Sequence, residues 1–413
     1  KTASRSVAGG RGRLQDVLVV AQVAFSVVLL AGAGLLVGNM SRLSRVDPGF
    51  ETAGVLTADI GLPQNRYPDG DRRVRFFDNF VTRVRALPGV RGAGMVSRIP
   101  IRDLGDNVGV WAVWHPPVDA SDTRLAFQRI VTPGYFHALG IPLLAGRDVR
   151  ATDGPETPPV LVVDRKLADT LFPGLDPLGR FVSVDLAGDT ATLKVVGVVG
   201  DVRISSLASE TDMAMYFPYG QRPVRTMGLV VRASGNAAAL VRPVQQVLRS
   251  LDPDVPLGNV SDMDDVLRGS LRFARTVTGA LGFFAVLALL LAGLGLYGLL
   301  AFQVAQRRHE IGIRMALGAD APAVFRLVLR RGLGLAALGL LLGTAGLALG
   351  TAFGSLPRIP VRVTDPSVAF HLHAVPLAFV GVVLFLLAVA LAACLRPAHR
   401  ALHVDPMSAL KAE

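Results

Sequence analysis

The chain has 413 residues, of which 51% are hydrophobic, and it carries a formal net charge of +11. Its mean hydropathy of +0.45 is too high for an ordinary soluble enzyme. The apolar residues are concentrated in runs without Asp, Glu, Lys or Arg, and each run has about the 20 residues needed to cross a hydrocarbon core. These runs are residues 17–37, 276–305, 333–353 and 372–395. We therefore predict a membrane protein with four transmembrane helices, at residues 17–40, 276–305, 332–354 and 372–395.

The positive charge lies beside these runs rather than in the long stretch between the first two. Residues 47–271 contain 24 Lys and Arg against 26 Asp and Glu, so the excess belongs to the termini and the short loops. Positive loops mark the cytoplasmic side of a membrane, whereas a nucleic-acid binder carries such charge on a folded domain. We therefore predict no nucleic-acid partner. The same pattern places residues 1–16, 306–331 and 396–413 in the cytoplasm and residues 47–271 and 355–371 outside it.

Small residues in the first and third runs predict close packing between helices. Glycines four residues apart let helix backbones approach each other. Gln22 and Ser26 have the same spacing in the first run, where a packing role is favoured over a substrate site. The glycines predicted to pack are Gly34, Gly38, Gly339, Gly343, Gly346 and Gly350.

The stretch between the first two runs begins and ends with the same order of elements. Strands are predicted at residues 54–62 and 90–99 around a helix at 71–87, and again at 228–233 and 255–260 around a helix at 236–251. Two strand–helix–strand units of this kind can share one sheet. We therefore predict a ferredoxin-like subdomain that is built from residues 47–106 and 223–271.

Residues 107–222 read as an inserted, mixed β-rich subdomain. Asp201 and Arg203 follow one of its hydrophobic strands, and we interpret them as a solvated turn. The predicted fold is thus a membrane α-helical protein with a large α+β domain of two subdomains outside the cytoplasm. The strands of the insertion are predicted at residues 108–115, 125–132, 160–163, 181–186, 193–202 and 213–219, and its short helices at 134–139 and 165–172.

The loop between the second and third runs holds the densest basic cluster beside any of them. Arg307, Arg308 and Arg314 lie in it, and Ile311 and Met315 recur at four-residue spacing. This pattern predicts a short amphipathic helix at the cytoplasmic surface, where it can contact lipid head groups or a protein partner. The alternative is a positively charged anchor that fixes the topology and has no other role.

The sequence offers no catalytic constellation. It contains no Gly-Lys pair, and so no phosphate-binding loop of the Walker type, and no Gly-x-Ser-x-Gly elbow. The apolar runs lack the charged groups that a proton-coupled transporter uses. Cys394 is the single cysteine, so disulfides cannot brace residues 47–271. We predict no enzyme activity, no cofactor and no metal site for the chain itself.

Several segments, in the right order along the chain, resemble one family, the FtsX-like (MacB-type) ABC transporter permeases. Residues 307–319 (RRHEIGIRMALGA) resemble the signature of its transmembrane domain. Residues 132–136 (TPGYF), 171–174 (LFPG) and 195–203 (VVGVVGDVR) are similar to its periplasmic core domain, and residues 404–411 (VDPMSALK) to its usual ending.

The resemblance implies a multi-pass protein of the bacterial inner membrane with one large periplasmic domain, divided into subdomains called porter and sabre. In this family a cytoplasmic ATPase drives motion of the periplasmic domain, which is called mechanotransmission, and substrate does not pass between the spans. The implied function is the permease part of a transporter for export or efflux. The implied partners are the ABC ATPase subunit, a second permease half or an identical chain, and a periplasmic adaptor with an outer-membrane channel.

The resemblance also implies that the basic loop is a coupling segment that docks on the ATPase. Its arginines would supply charge, and its apolar side chains would supply the contact. His309 stands where the family often has Thr, and we give this departure no mechanistic meaning. The predicted coupling residues are Arg307, Arg308, Glu310, Ile311, Gly312, Arg314, Met315, Leu317 and Gly318.

Two other functions stay open on the sequence. An FtsX-like regulator would use the same ATP-driven motion to activate a periplasmic partner such as a cell-wall hydrolase. A membrane-anchored receptor without an ATPase would have no need of the coupling segment. The large two-part domain favours transport. The basic, glycine-rich start before Arg13 also resembles the linker of duplicated permeases, so we expect the chain to be the second half of one.

Overall fold

The computed structural model describes residues 4–43, 46–119, 122–186, 189–207, 211–306, 321–352, 383–393 and 395. The chain divides into two compact units. We call Lys1–Arg42 together with Phe273–Glu413 the helical unit, and Leu43–Arg272 the β-rich unit.

The elements follow one another along the chain in an order that alternates strands with short helices between two long helical parts. The first of them are α1 (Ser4–Leu43), β1 (Val55–Gly61), α2 (Gly70–Arg85), β2 (Val90–Val96), β3 (Asn107–Ala112), β4 (Arg124–Val131), α3 (Tyr135–Leu139), β5 (Leu143–Gly146), β6 (Val160–Asp164), α4 (Arg165–Leu171), β7 (Phe181–Leu186) and β8 (Asp189–Val199). The remainder are β9 (Ala214–Pro218), β10 (Thr226–Ala233), a 3-10 helix (Ala237–Leu240), α5 (Val241–Leu251), β11 (Leu257–Asp262), α6 (Met263–Ser270), α7 (Arg272–Gln306), α8 (Ala321–Ala352) and α9 (Val383–Ala393).

Four strands of the β-rich unit form an antiparallel sheet in the order β11-β1-β10-β2. The helices α2 and α5 bury their apolar stripes in one core with this sheet, because apolar residues recur in both with the helical period. The stripe of α2 includes Phe77, Val81 and Val84, and that of α5 includes Val244 and Leu248. Two strand–helix–strand units, from the start and the end of the β-rich unit, thus share one sheet.

The strands inserted between β2 and β10 close into a barrel. The strands β4, β3, β7, β8, β6 and β9 are each paired with the next, and β9 pairs back onto β4. The pairs β6–β8 and β4–β9 are parallel and the others are antiparallel, so the barrel is mixed. Closure leaves these strands without a free edge. Alternate side chains such as Val110, Val182 and Met215 are fully buried in its core.

Proline explains the main differences between the predicted and observed element boundaries. The helix predicted from residue 236 starts as a 3-10 turn, and its α-helical part begins at Val241. Pro243 fits only the first turn of an α-helix, so the α-helix cannot begin much earlier. The strand predicted at residues 255–260 runs from Leu257 to Asp262, because Pro256 has no N–H to donate to a neighbouring strand.

Two elements of the β-rich unit were not predicted from the sequence, β5 and α6. The strand β5 is short and pairs only with β8 among the described strands. The helix α6 does carry a start signal, since Asp262 accepts a hydrogen bond from Asp264 N over 3.0 Å and two Asp residues lie in the first turn.

The helical unit contains, among its described residues, three helices that are long and apolar enough to cross a membrane. They are Leu14–Gly38, Arg275–Gln306 and Leu329–Leu349. Val383–Ala393 is a shorter apolar helix, and residues 372–382 of the fourth predicted span lie outside the described residues. The count of four spans therefore stays a prediction.

The helices of this unit pack on one another through apolar side chains. Each of α1, α7, α8 and α9 contributes to one buried cluster, with Val19, Leu296, Ala336 and Ala390 as examples. A second cluster of the same kind follows along the bundle. The helices also extend beyond the predicted spans, because α1 begins within the predicted amino tail and α8 begins within the predicted coupling loop.

Candidate functional site

The helix α1 leads into the β-rich unit through residues 46–51, which we call the entry segment, and the barrel holds this segment in place. Arg203 donates its main-chain N–H to Pro48 O over 3.0 Å, and Glu51 donates its own to the last residue of α3 over 2.9 Å. Gly49 has a φ of +83° and lies against the main chain of Asp201, so no side chain fits there. The entry segment is thus held within the β-rich unit by its backbone.

The turn that contains Asp201 and Arg203 does more than face solvent, so its interpretation as a solvated turn is wrong. The Oδ1 atom of Asp201 accepts a hydrogen bond from Lys166 N over 2.8 Å, at the start of α4. The guanidinium of Arg203 donates to Leu207 O over 3.3 Å. These bonds hold the turn that binds the entry segment, and strand periodicity gives no signal for them.

Asp164, at the end of β6, is a fully buried carboxylate that joins three elements. Its Oδ1 atom accepts from Leu167 N over 2.8 Å and caps α4, and its Oδ2 atom accepts from Ala214 N over 2.7 Å at the start of β9. Burial raises the pKa of this carboxyl well above its usual value, although the two N–H donors oppose the shift. No motif in the sequence marks Asp164 for this role.

Replacing Asp164 with Ala is expected to destabilise the β-rich unit by about 2–3 kcal/mol, because two buried N–H groups lose their acceptor. Thermal unfolding of the chain in detergent measures the change. Asp169→Ala on the exposed side of α4 is the matched control and should change stability by no more than about 0.5 kcal/mol. Equal stability of the two variants would contradict a structural role for Asp164.

The same substitution should also remove a pH dependence. A carboxyl whose pKa is raised by folding contributes stability in full below its unfolded value near 3.8, and this contribution is lost as the pH rises through the folded-state pKa. The wild-type chain should therefore lose this contribution as the pH rises from about 3.8 through the raised folded-state pKa, and Asp164→Ala should not. Unfolding of both chains over this pH range measures the difference.

The TPGYF motif fastens the barrel to the sheet. Thr132 donates its main-chain N–H to Met95 O over 3.0 Å and accepts from Met95 N through Oγ1 over 2.8 Å. A Cβ atom at Gly94 would lie only 2.5 Å from Cα of Tyr135, so α3 rests directly on the backbone of β2. Tyr135 is fully buried beside Tyr216 of β9, with ring centroids 6.5 Å apart. Sheet, α3 and barrel therefore meet at one packed junction.

An open cleft of about 370 Å³ lies beside the entry segment. Its charged lining consists of three carboxylates and one guanidinium, from Asp47, Glu51, Asp201 and Arg165. No three His, Cys, Asp or Glu side chains in the described part of the chain are placed to hold a metal ion. The cleft is therefore an acidic surface at the connection to α1.

In the helical unit, two of the predicted glycines lie where α1 and α8 make close contact. A Cβ atom at Gly339 would lie 2.7 Å from Cβ of Val23, and one at Gly343 would lie 2.8 Å from Ala24 O. Glycine at these positions lets the two backbones approach each other. Gln22 contacts α7 in the same unit, since a Cβ atom at Gly295 would lie 2.7 Å from its Oε1 atom.

The other predicted packing residues lie in different surroundings. In the described part of the chain, no atom outside their own helix backbone lies within 4 Å of a Cβ position at Gly34, Gly38 or Gly346. The surroundings of Gly350 lie outside the described residues. Ser26 donates to the main-chain oxygen of Gln22 in its own helix over 2.8 Å. A packing role for the glycines with open space stays a prediction.

All the predicted coupling residues, from Arg307 to Gly318, lie outside the described residues. The structure shows where this segment attaches, since α7 ends at Gln306 and α8 begins at Ala321. The coupling role of these residues therefore remains a prediction.

Comparison with known proteins gives two family matches. The model of the MacB-like periplasmic core domain matches residues 17–247, more than half of the chain, and the model of the FtsX-like permease C-terminal region matches residues 282–406. The macrolide export ATP-binding/permease protein MacB of Azoarcus sp. is 29% identical over 287 residues, which are 66% of this chain and 40% of that protein. The pyoverdine export ATP-binding/permease protein PvdT of Pseudomonas savastanoi is 28% identical over 284 residues, with the same coverage.

The chain spans 40% of the length of each of these relatives. Among solved structures, the periplasmic region of MacB from Actinobacillus actinomycetemcomitans aligns with 56% of this chain and 98% of that chain, at 16% identity and a TM-score of 0.36. The two family matches lie in the same order as the motifs that carry the resemblance. The chain therefore belongs to the MacB-type ABC transporter permeases, which combine a MacB-like periplasmic core domain with an FtsX-like permease C-terminal region.

Proposed function

We propose that this chain is the permease component of an export or efflux transporter of the bacterial inner membrane, and that it works by mechanotransmission. A separate cytoplasmic ATPase hydrolyses ATP, and this chain, which is no enzyme itself, carries the resulting motion to its periplasmic domain. The observation that carries the proposal is the entry segment. Its main chain is hydrogen-bonded to the turn after β8 and to α3. In this proposal, a displacement of the end of α1 is passed through the entry segment to the barrel.

The exit from the β-rich unit supports the same proposal. Only Leu271 separates α6 from α7, and Asp262 caps α6 at the end of the sheet strand β11. Few residues of the chain therefore separate α1 and α7 from the β-rich unit. In this proposal the sheet with α2 and α5 is the porter subdomain, the barrel is the sabre subdomain, and substrate does not pass between the spans.

The proposed assembly contains two permease halves, either as identical chains or as homologous halves, together with the ATPase. A periplasmic adaptor and an outer-membrane channel would complete an export route. The names of the MacB and PvdT relatives refer to export, of a macrolide and of pyoverdine. This favours export over activation of a cell-wall hydrolase as the use of the motion.

The topology of this proposal predicts that single cysteines at exposed positions of the two units are labelled from opposite sides of the membrane. Glu156→Cys in the β-rich unit should react with an impermeant thiol reagent in intact spheroplasts. Arg326→Cys in α8 should react only after the membrane is opened. Cys394→Ser supplies the background. Labelling of both positions from the same side would rule out the proposed orientation.

Mechanotransmission predicts a variant that stimulates the ATPase and yet transmits no motion. Gly49→Val places a side chain against the backbone of Asp201 and should detach the entry segment. In this variant, a label attached to Glu156→Cys should show no ATP-dependent change in its signal. ATP hydrolysis by the reconstituted complex should persist. Gly174→Val is the matched control, since Gly174 also has a positive φ, +72°, but open space around it. An unchanged label signal in Gly49→Val would contradict the role of the entry segment.

A further inference from the structure

An ion pair joins α1 and α8 in the described part of the helical unit. The guanidinium of Arg331 donates to Oδ2 of Asp16 over 3.2 Å, and the Asp16 side chain is only 24% exposed. Asp16 and Arg331 lie at the starts of the apolar stretches Leu14–Gly38 and Leu329–Leu349, at the edge of the predicted cytoplasmic segments. The Arg331 side chain is 44% exposed, and its charge-assisted hydrogen bond to the Asp16 carboxylate favours close apposition of the two helices.

The ion pair continues the close contact between the two helices. Gly339 lies against Val23, and Gly343 lies against Ala24, so the partners advance in the same direction along both helices. Arg331, Gly339 and Gly343 thus contact α1 one after another along α8. The two helices are therefore parallel.

The place of the pair along the chain connects the two ends of the proposed mechanism. On one side, Arg331 lies in the first part of α8, which follows the predicted coupling segment directly. On the other side, Asp16 belongs to α1, a continuous helix to Leu43 that leads to the entry segment. Contact at Asp16 thus joins a helix that adjoins the predicted coupling segment with the helix that leads along the chain to the entry segment.

We propose that Asp16 and Arg331 are positioning residues that make α1 and α8 move as one body. Displacement of the coupling segment then reaches the entry segment through α1, as well as through the chain of α7. The inference rests on the proposed function and adds to it the route and the two side chains that the route requires. Neither residue touches ATP or substrate in this scheme.

Charge exchange tests the pair. The full chain is reconstituted with its ATPase in nanodiscs, and ATP-dependent change of the label signal at position 156 is measured. We expect Asp16→Arg and Arg331→Asp each to reduce the amplitude of this change on the order of tenfold, and the double exchange to restore it to within about twofold of wild type. Arg330→Asp, one residue away at an exposed position, changes the charge in the same way and should have no such effect.

A reversible cross-link between positions 16 and 331 provides a second test in case the exchanged side chains do not fit between α1 and α8. In a Cys394→Ser background, Asp16→Cys and Arg331→Cys are bridged by a bifunctional thiol reagent whose link a reductant cleaves. The bridged chain should transmit the signal, and the same chain should lose it after cleavage. Single exchanges with wild-type amplitude, or a bridged chain without signal, would overturn the inference and leave the proposed function in place. A wild-type complex without any ATP-dependent signal would remove mechanotransmission and the role of the pair together.

Discussion

Stimulation of the partner ATPase is expected to disappear when Met315 is replaced with Asp. Met315 belongs to the apolar stripe predicted for the coupling segment, so the substitution places a charge in the expected contact. An unpaired charge there would weaken docking by several kcal/mol, on the order of a thousandfold in affinity or more. Arg314→Glu should act in the same direction, since arginine suits acidic groups on a partner through charge-assisted hydrogen bonds. The measurement is the rate of ATP hydrolysis with and without the reconstituted permease.

The structure supplies a control for the coupling variants. The β-rich unit is compact by itself, so it should stay folded when Met315 is changed, as thermal unfolding and labelling at position 156 would show. An isolated helix of about 14 residues is marginal in water, so we expect the predicted helix to require a docking surface. If Met315→Asp and Arg314→Glu insert normally and keep full ATPase stimulation, the segment is only a topological anchor.

The parts of the fold that follow from local periodicity could be predicted from the sequence. Apolar residues at helical spacing predicted α2, and the observed helix Gly70–Arg85 buries Phe77, Val81 and Val84 as the pattern requires. Alternating or continuous apolar runs predicted most strands of the barrel to within a few residues. Hydropathy predicted four spans, and the described residues contain three of them at membrane-spanning length.

Pairings between distant residues could not be predicted in this way. Closure of the barrel depends on β4 pairing with β9, strands that are far apart in the chain, and periodicity carries no information about partners. The partners of Asp164 could not be predicted either. Its carboxylate oxygens accept hydrogen bonds from Leu167 in the next helix and from Ala214 in a remote strand. The role of Asp201 also depends on a remote partner, the main chain of the entry segment.

The TPGYF motif shows how a resemblance and a structure contribute differently. The family resemblance identified the TPGYF motif but implied no role for it. The structure shows that Thr132 forms hydrogen bonds to Met95 through its main chain and its side chain. It also shows that the backbone of Tyr135 lies against Gly94. The essential partner is therefore a glycine in β2, a residue that a strand pattern treats as a weak position.

Replacing Gly94 with Val is expected to destabilise the β-rich unit by about 4 kcal/mol, or about 10 °C in Tm. A Cβ atom there would lie 2.5 Å from Cα and 2.7 Å from N of Tyr135, both in the backbone, so α3 would have to leave the sheet and weaken the bonds of Thr132. Thermal unfolding of the chain in detergent measures the loss, and ATP-dependent signals at position 156 should fall with it. Gly61→Val is the matched control, because Gly61 lies in a strand of the same sheet, with its nearest neighbour, Oγ1 of Thr226, at 3.7 Å from the position of a Cβ atom. Similar stability of Gly94→Val and Gly61→Val would mean that the junction yields easily and is not what holds the barrel to the sheet.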